Sequence, residues 1–107
     1  MSFEFDDERD GELAFDQREK VRRPRRWKVL LHNDDFTTME FVVYVLVSIF
    51  DKSESDAIRI MLQVHNQGVG VAGVYGYEIA EAKAEKVMSL AQQNEYPLLC
   101  TLEEEPG

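Results

Sequence analysis

Hydrophobic residues with regular spacing appear only after residue 26, and their spacing changes several times before the chain ends. Trp27 to His32 (WKVLLH) is a short apolar run rich in strand formers, which predicts a first strand. Thr37-Thr38-Met39-Glu40 has capping-box spacing, with Thr37 accepting the amide of Glu40 and Glu40 reaching back. A helix is therefore expected from about Thr38 through FVVYVLVSIF to Phe50, and its valines require burial to hold it. Ser53-Glu54-Ser55-Asp56 is a second cap signal, opening a helix to about Gln67 with Gly68 as a left-handed terminator.

Val69 to Tyr75 (VGVAGVY) predicts a glycine-rich strand. Tyr77 to Asn94 predicts a third helix that offers Ile79, Ala80, Val87, Leu90 and Ala91 for burial. Tyr96-Pro97 ends that helix, and Leu98 to Leu102 is the last expected strand. The order β-α-α-β-α-β implies an α+β domain with three helices on one face of a small three-stranded sheet. Residues 1–26 read as a flexible charged extension, 27–102 as the domain and 103–107 as a solvated acidic tail.

A chain of 107 residues supports one domain with a modest core, and an elaborate catalytic cavity would compete with that core for side chains. The single cysteine, Cys100, can form neither an internal disulfide nor a structural zinc site. No apolar segment has the flanks of a signal peptide, and Phe41 to Phe50 is too short to cross a bilayer, so the cytoplasm is expected. The net charge of −9 disfavours general nucleic-acid binding. A basic run of Arg18, Lys20, Arg22, Arg23, Arg25, Arg26 and Lys28 does follow an acidic tract, which keeps a nucleic-acid or ribosome-associated module as the alternative reading.

Several groupings could carry chemistry. Gly68-Val69-Gly70-Val71-Ala72-Gly73 matches GxGxxG, but a helix precedes it and its glycines fall in a strand, so close backbone packing is the better account. His32-Asn33-Asp34-Asp35 stands between a strand and a helix; an Asx turn explains it, and an acid–base pair or metal site is the sharper possibility. No ligand spacing completes a metal set. Met61, Val64 and His65 share one face of the second predicted helix, as Met39, Val42 and Val43 do on the first. Each triplet by itself is ordinary core. Two methionine-bearing faces near an Asn-Asp-Asp turn suggest a pocket with an adaptable wall and a polar mouth.

At these residues the chain resembles ClpS, the adaptor family of the bacterial N-end rule. The likeness runs from Trp27 to Leu102 through K-V-L-L-x-N-D-D-F-T-x-M-E-F-V, M-L-x-V-H-x-Q-G, E-x-A-E-x-K and N-E-x-P-L-L-C-T-L. It implies a fold similar to the C-terminal domain of a ribosomal stalk protein, no catalysis and no cofactor or metal. It also implies a monomer that binds neither nucleic acid nor membrane. Such an adaptor binds substrates beginning with Leu, Phe, Tyr or Trp and docks on the N-terminal domain of the ClpA unfoldase, which feeds the ClpP protease. The resemblance implies that Asn33, Asp34 and His65 hold the α-amino group and that Asp35 and Thr37 support the mouth. Met39, Val42, Met61, Val64 and Leu98 would line the hydrophobic pocket, with Met39 as a gate. Glu78 and Lys83 would contact the unfoldase.

Two departures stand out. Thr38 occupies a position where the family commonly has proline, which is expected to loosen the helix start. His32 replaces a commonly apolar residue and is expected to add a titratable group beside the mouth. The chemistry suits the role: an N-terminal ammonium offers three donors, and Asn33, Asp34 and a neutral His65 offer acceptors. Protonating His65 would remove its acceptor. Residues 1–26 are expected to serve delivery rather than capture.

Overall fold

Trp27–His32 forms β1, the central strand of an antiparallel sheet in the order β2-β1-β3, with β2 at Val69–Tyr75 and β3 at Leu99–Glu104. The computed structural model describes residues 24–106. Three helices complete the expected β-α-α-β-α-β order: α1 at Met39–Ser48, α2 at Glu54–Gln67 and α3 at Tyr77–Gln93. Along β1, buried Val29 and Leu31 alternate with the partly exposed Lys28, Leu30 and His32. The period-two alternation of a strand therefore gives the sheet one covered and one open face. Val45 and Leu46 of α1, Ala57, Ile60 and Val64 of α2, and Ala80 and Val87 of α3 join Val29 and Leu31 in one core.

Several details differ from those expected. The N-cap of α1 is Thr38, whose hydroxyl accepts from the Phe41 amide at 3.1 Å, rather than Thr37. The Thr37 hydroxyl is instead turned toward the preceding turn, donating to Asp34 Oδ2 at 2.7 Å. Thr38 thus gives the helix start a side-chain cap that proline could not. Ile79 is 55% exposed instead of buried, since Ala80, Ala84, Val87 and Ala91 take the inward stripe of α3.

The ladder also runs past the expected C-terminal domain edge. Trp27 pairs with Glu104 and Lys28 with Glu103, so those glutamates keep exposed side chains on a paired backbone. Arg26 carbonyl accepts from the Glu105 amide at 2.8 Å, and Arg25 bonds Glu104 across 2.8 Å. Leu98 falls just before β3 instead of opening it, and its side chain is buried.

Ser53 caps α2 by accepting from the Asp56 amide at 3.2 Å, and Gly68 closes it at φ 90, a left-handed conformation that glycine adopts without strain. The glycine pattern is packing, not a phosphate cradle. A Cβ on Gly70 would stand 2.7 Å from Val64 Cγ2, so β2 and α2 approach as closely as they do only because a hydrogen is there. Val64 is buried and β-branched and has little freedom to move aside. Gly70→Ala is expected to cost about 1–3 kcal/mol of stability, read from denaturant unfolding. An unchanged midpoint would show that the two elements can separate freely.

Candidate functional site

The turn between β1 and α1 and the last turns of α2 meet at one end of the fold. The Asn33 amide donates to the Gly68 carbonyl at 2.9 Å, which ties the exit of β1 to the residue that terminates α2. That single bond sets Asn33 beside the helix end carrying His65. Asp34 then organises the turn. Its Oδ1 accepts from the Phe36 amide at 2.8 Å and the Thr37 amide at 2.7 Å, while Oδ2 accepts the Thr37 hydroxyl. This is the Asx turn that the composition allowed, with a hydroxyl bond added.

Burial pushes the Asp34 carboxyl up, but the Thr37 hydroxyl, the Thr37 amide and the Phe36 amide outweigh it and hold the group below its ordinary 3.8. The carboxylate is therefore charged at neutral pH. Three of its roughly four lone-pair sites are occupied, which leaves one on Oδ2 for a further donor.

These groups rim a cavity of about 230 Å³ lined by Asn33, Asp34, Asp35, Thr37, Met39, Val42, Met61, Val64 and His65. Val42 and Val64 form buried walls, Met61 is half-buried, and Met39 stands 42% exposed at the first position of α1. A dry apolar cavity of about 150 Å³ accepts a benzene ring, whereas drug-sized ligands need roughly 300 Å³ or more. The volume thus fits one large side chain. Its two methionines can conform to an aliphatic or an aromatic guest.

Two expected residues stand elsewhere. Leu98 does not line this cavity; it is packed in the core and faces a larger, open groove between α3 and β3. His32 does not flank the mouth, because the alternation that buries Leu31 sends its side chain to the sheet's open face. There its Nε2 lies 2.8 Å from the Thr101 hydroxyl. Lys83 is engaged within the fold, donating from Nζ to the Ile49 carbonyl at 2.7 Å and lying over the rings of Phe50 and Tyr75. Glu78 is exposed in the first turn of α3.

An enzyme built on His32, Asp34, Asp35 and His65 is not assembled, since His32 is on the other face of the sheet. Among the described residues no group of three His, Cys, Asp or Glu side chains is placed to hold a metal. Burial pushes the Cys100 thiol up to about 12, which leaves it a poor nucleophile. Arg25 pairs with Glu104 and Arg26 Nη2 donates to the Val74 carbonyl at 3.2 Å, so both serve the sheet; Arg18, Lys20, Arg22 and Arg23 lie outside the described residues. No described helix is long and apolar enough to cross a membrane.

Comparison with known proteins places the same segment in a family. Residues 22–101 match the family model described as ATP-dependent Clp protease adaptor protein ClpS. An ATP-dependent Clp protease adapter protein ClpS of Desulfatibacillum aliphaticivorans is 58% identical over 95 residues, 89% of this chain and 91% of its own length. That of Myxococcus xanthus is 54% identical over 90 residues, 84% of each chain. The structure of Agrobacterium tumefaciens ClpS2 bound to L-phenylalaninamide matches with a TM-score of 0.75 at 41% identity, covering 78% of this chain and all of that one.

Proposed function

The chain belongs to the ClpS family of ATP-dependent Clp protease adaptors, and from that premise we propose that the Asn33–His65 cavity captures proteins by a bulky hydrophobic N-terminal residue. The adaptor hands such proteins to the Clp protease for degradation. The observation that carries the site assignment is the meeting, in one cavity, of acceptors at the rim and an apolar wall sized for one side chain. L-phenylalaninamide, the ligand of the Agrobacterium relative, has a free α-amino group, a benzyl side chain and an amide where a next residue would follow. A Phe N-terminus presents the same three groups.

In this reading the ammonium sits among the Asn33 amide oxygen, the remaining Asp34 lone pair and one ring nitrogen of His65. His65 is in the last turn of α2, where the negative end of the helix dipole also favours a cation. Asp35 and Thr37 border the first peptide bond. Met39, Val42, Met61 and Val64 enclose the side chain, and Met39, exposed at the entrance, gates it against β-branched residues.

The receiving component is a ClpA-type unfoldase, and the adaptor acts on it as a cytoplasmic monomer. Glu78, exposed on α3, is the contact we assign to that partner. Lys83, which also donates to the Ile49 carbonyl, is assigned to the same partner.

Fluorescence anisotropy with peptides identical except for their first residue tests the capture site. Phe-, Leu-, Tyr- and Trp-first peptides are expected to bind at about micromolar or tighter, and Ser- or Gly-first peptides far more weakly. Asn33→Ala is expected to weaken the Phe-first peptide about tenfold or more by removing one charge-assisted acceptor. Equal affinity for Phe- and Ser-first peptides would overturn the assignment.

A further inference from the structure

Phe36 is 76% exposed, the most exposed large hydrophobic side chain among the described residues. Its exposure is imposed rather than incidental. Asp34 Oδ1 holds the amides of Phe36 and Thr37, and the Thr37 hydroxyl is fixed to Asp34 Oδ2, so the backbone on both sides of the ring is pinned. Its two neighbours, Asp35 and Thr37, line the cavity while Phe36 does not. The ring therefore stands beside the mouth, carried on a backbone that three hydrogen bonds pin and offered to water.

In the capture reading Asp35 and Thr37 border the first peptide bond, so a cargo chain with its first residue in the cavity leaves past the residue between them. Successive residues advance about 3.3–3.6 Å, and alternate side chains of an extended chain point to opposite sides. The second side chain thus emerges at the rim just as the first is enclosed. We infer that Phe36 is a second specificity element, packing its ring against the side chain of the cargo's second residue and favouring a large apolar one there. The inference rests on the capture reading given above and adds a position to it. Contact with an aromatic surface removes apolar area from both partners, and an aliphatic second residue gains where glycine has nothing to bury.

Four peptides in anisotropy separate the two ideas: Phe-Leu-, Phe-Gly-, Ser-Leu- and Ser-Gly- at their N-termini with one common remainder. The full-length protein is expected to bind Phe-Leu about 3–10-fold tighter than Phe-Gly, an increment that matches a partly buried side chain. In Phe36→Ala that ratio is expected to fall to near one with Phe-Gly affinity unchanged, since the substitution keeps the amide that Asp34 holds. Preference for Phe-Leu over Ser-Leu should survive in both proteins. A Leu/Gly ratio that Phe36→Ala leaves intact overturns the inference, as does an equal weakening of Phe-Leu and Phe-Gly. Loss of discrimination between Phe-first and Ser-first peptides in the unaltered protein would instead sink the capture reading.

Discussion

Acetylating the amino group of a Phe-first peptide is expected to weaken its binding by about 100- to 10,000-fold. The side chain and every later residue stay the same, so the whole effect falls on the rim of the cavity. Acetylation removes the charge and leaves one N–H where an ammonium has three donors. Two charge-assisted hydrogen bonds contribute about 1.5–3 kcal/mol each, and every 1.4 kcal/mol is tenfold in affinity. An occupied cavity without the ammonium leaves the rim acceptors that Asn33 and His65 offer, and the remaining lone pair of Asp34, desolvated and without a donor. Isothermal titration of the free and blocked peptides measures the difference directly. Equal affinities would mean that the apolar wall alone binds the guest, and the rim would have no role in recognition.

Asp34→Ala is expected to abolish measurable capture and to lower stability by about 1–3 kcal/mol. Three hydrogen bonds vanish together, and the Phe36 and Thr37 amides lose the acceptor that shapes the mouth. Asp34→Asn separates shape from charge. Its amide oxygen can still accept from the two backbone amides, so the fold should hold, while the negative charge facing the ammonium is gone. The expected order of affinity is unaltered protein, then Asp34→Asn, then Asp34→Ala, with thermal unfolding recorded beside it. Binding by Asp34→Ala equal to that of the unaltered protein would show that the turn forms without its carboxylate.

Acid should act through the same group. The folded value of Asp34 is below 3.8, so its contribution to stability is whole above the ordinary carboxyl range. It declines as pH falls from 3.8 toward that lower value. At neutral pH none of it is lost.

Much of this fold is legible in the order of residues because local signals agree with one another. The run WKVLLH, the Ser53 cap and Gly68 each specify structure within a few residues, and each element is found where those signals place it. The failures occur where a residue had two possible partners. Thr37 and Thr38 both have capping chemistry, and the Asp34 turn, by engaging Thr37, leaves Thr38 to cap α1. Ile79 reads as core by composition, yet it lies off the inward stripe that the alanines of α3 define.

The candidate site divides the same way. Asn33, Asp34, Met61, Val64 and His65 could be singled out from type and helical spacing, because helix periodicity fixes which side chains share a face. Which faces oppose each other depends on contacts distant in sequence, and no local pattern encodes them. Leu98 went to the core and His32 to the open face of the sheet for that reason. Lys83 likewise found the end of α1 across 34 positions of chain.

By itself the sequence determined the elements, their order and the kinds of chemical group available, since backbone propensity, capping and hydrophobic period act over a few residues. Only the tertiary structure decided that Asn33 bonds to Gly68, that the ends of β1 and α2 therefore meet, and that a cavity for one side chain opens between them. Shape of that kind comes from packing across the whole core. It exists only when the end of β1, α1 and α2 are in place together.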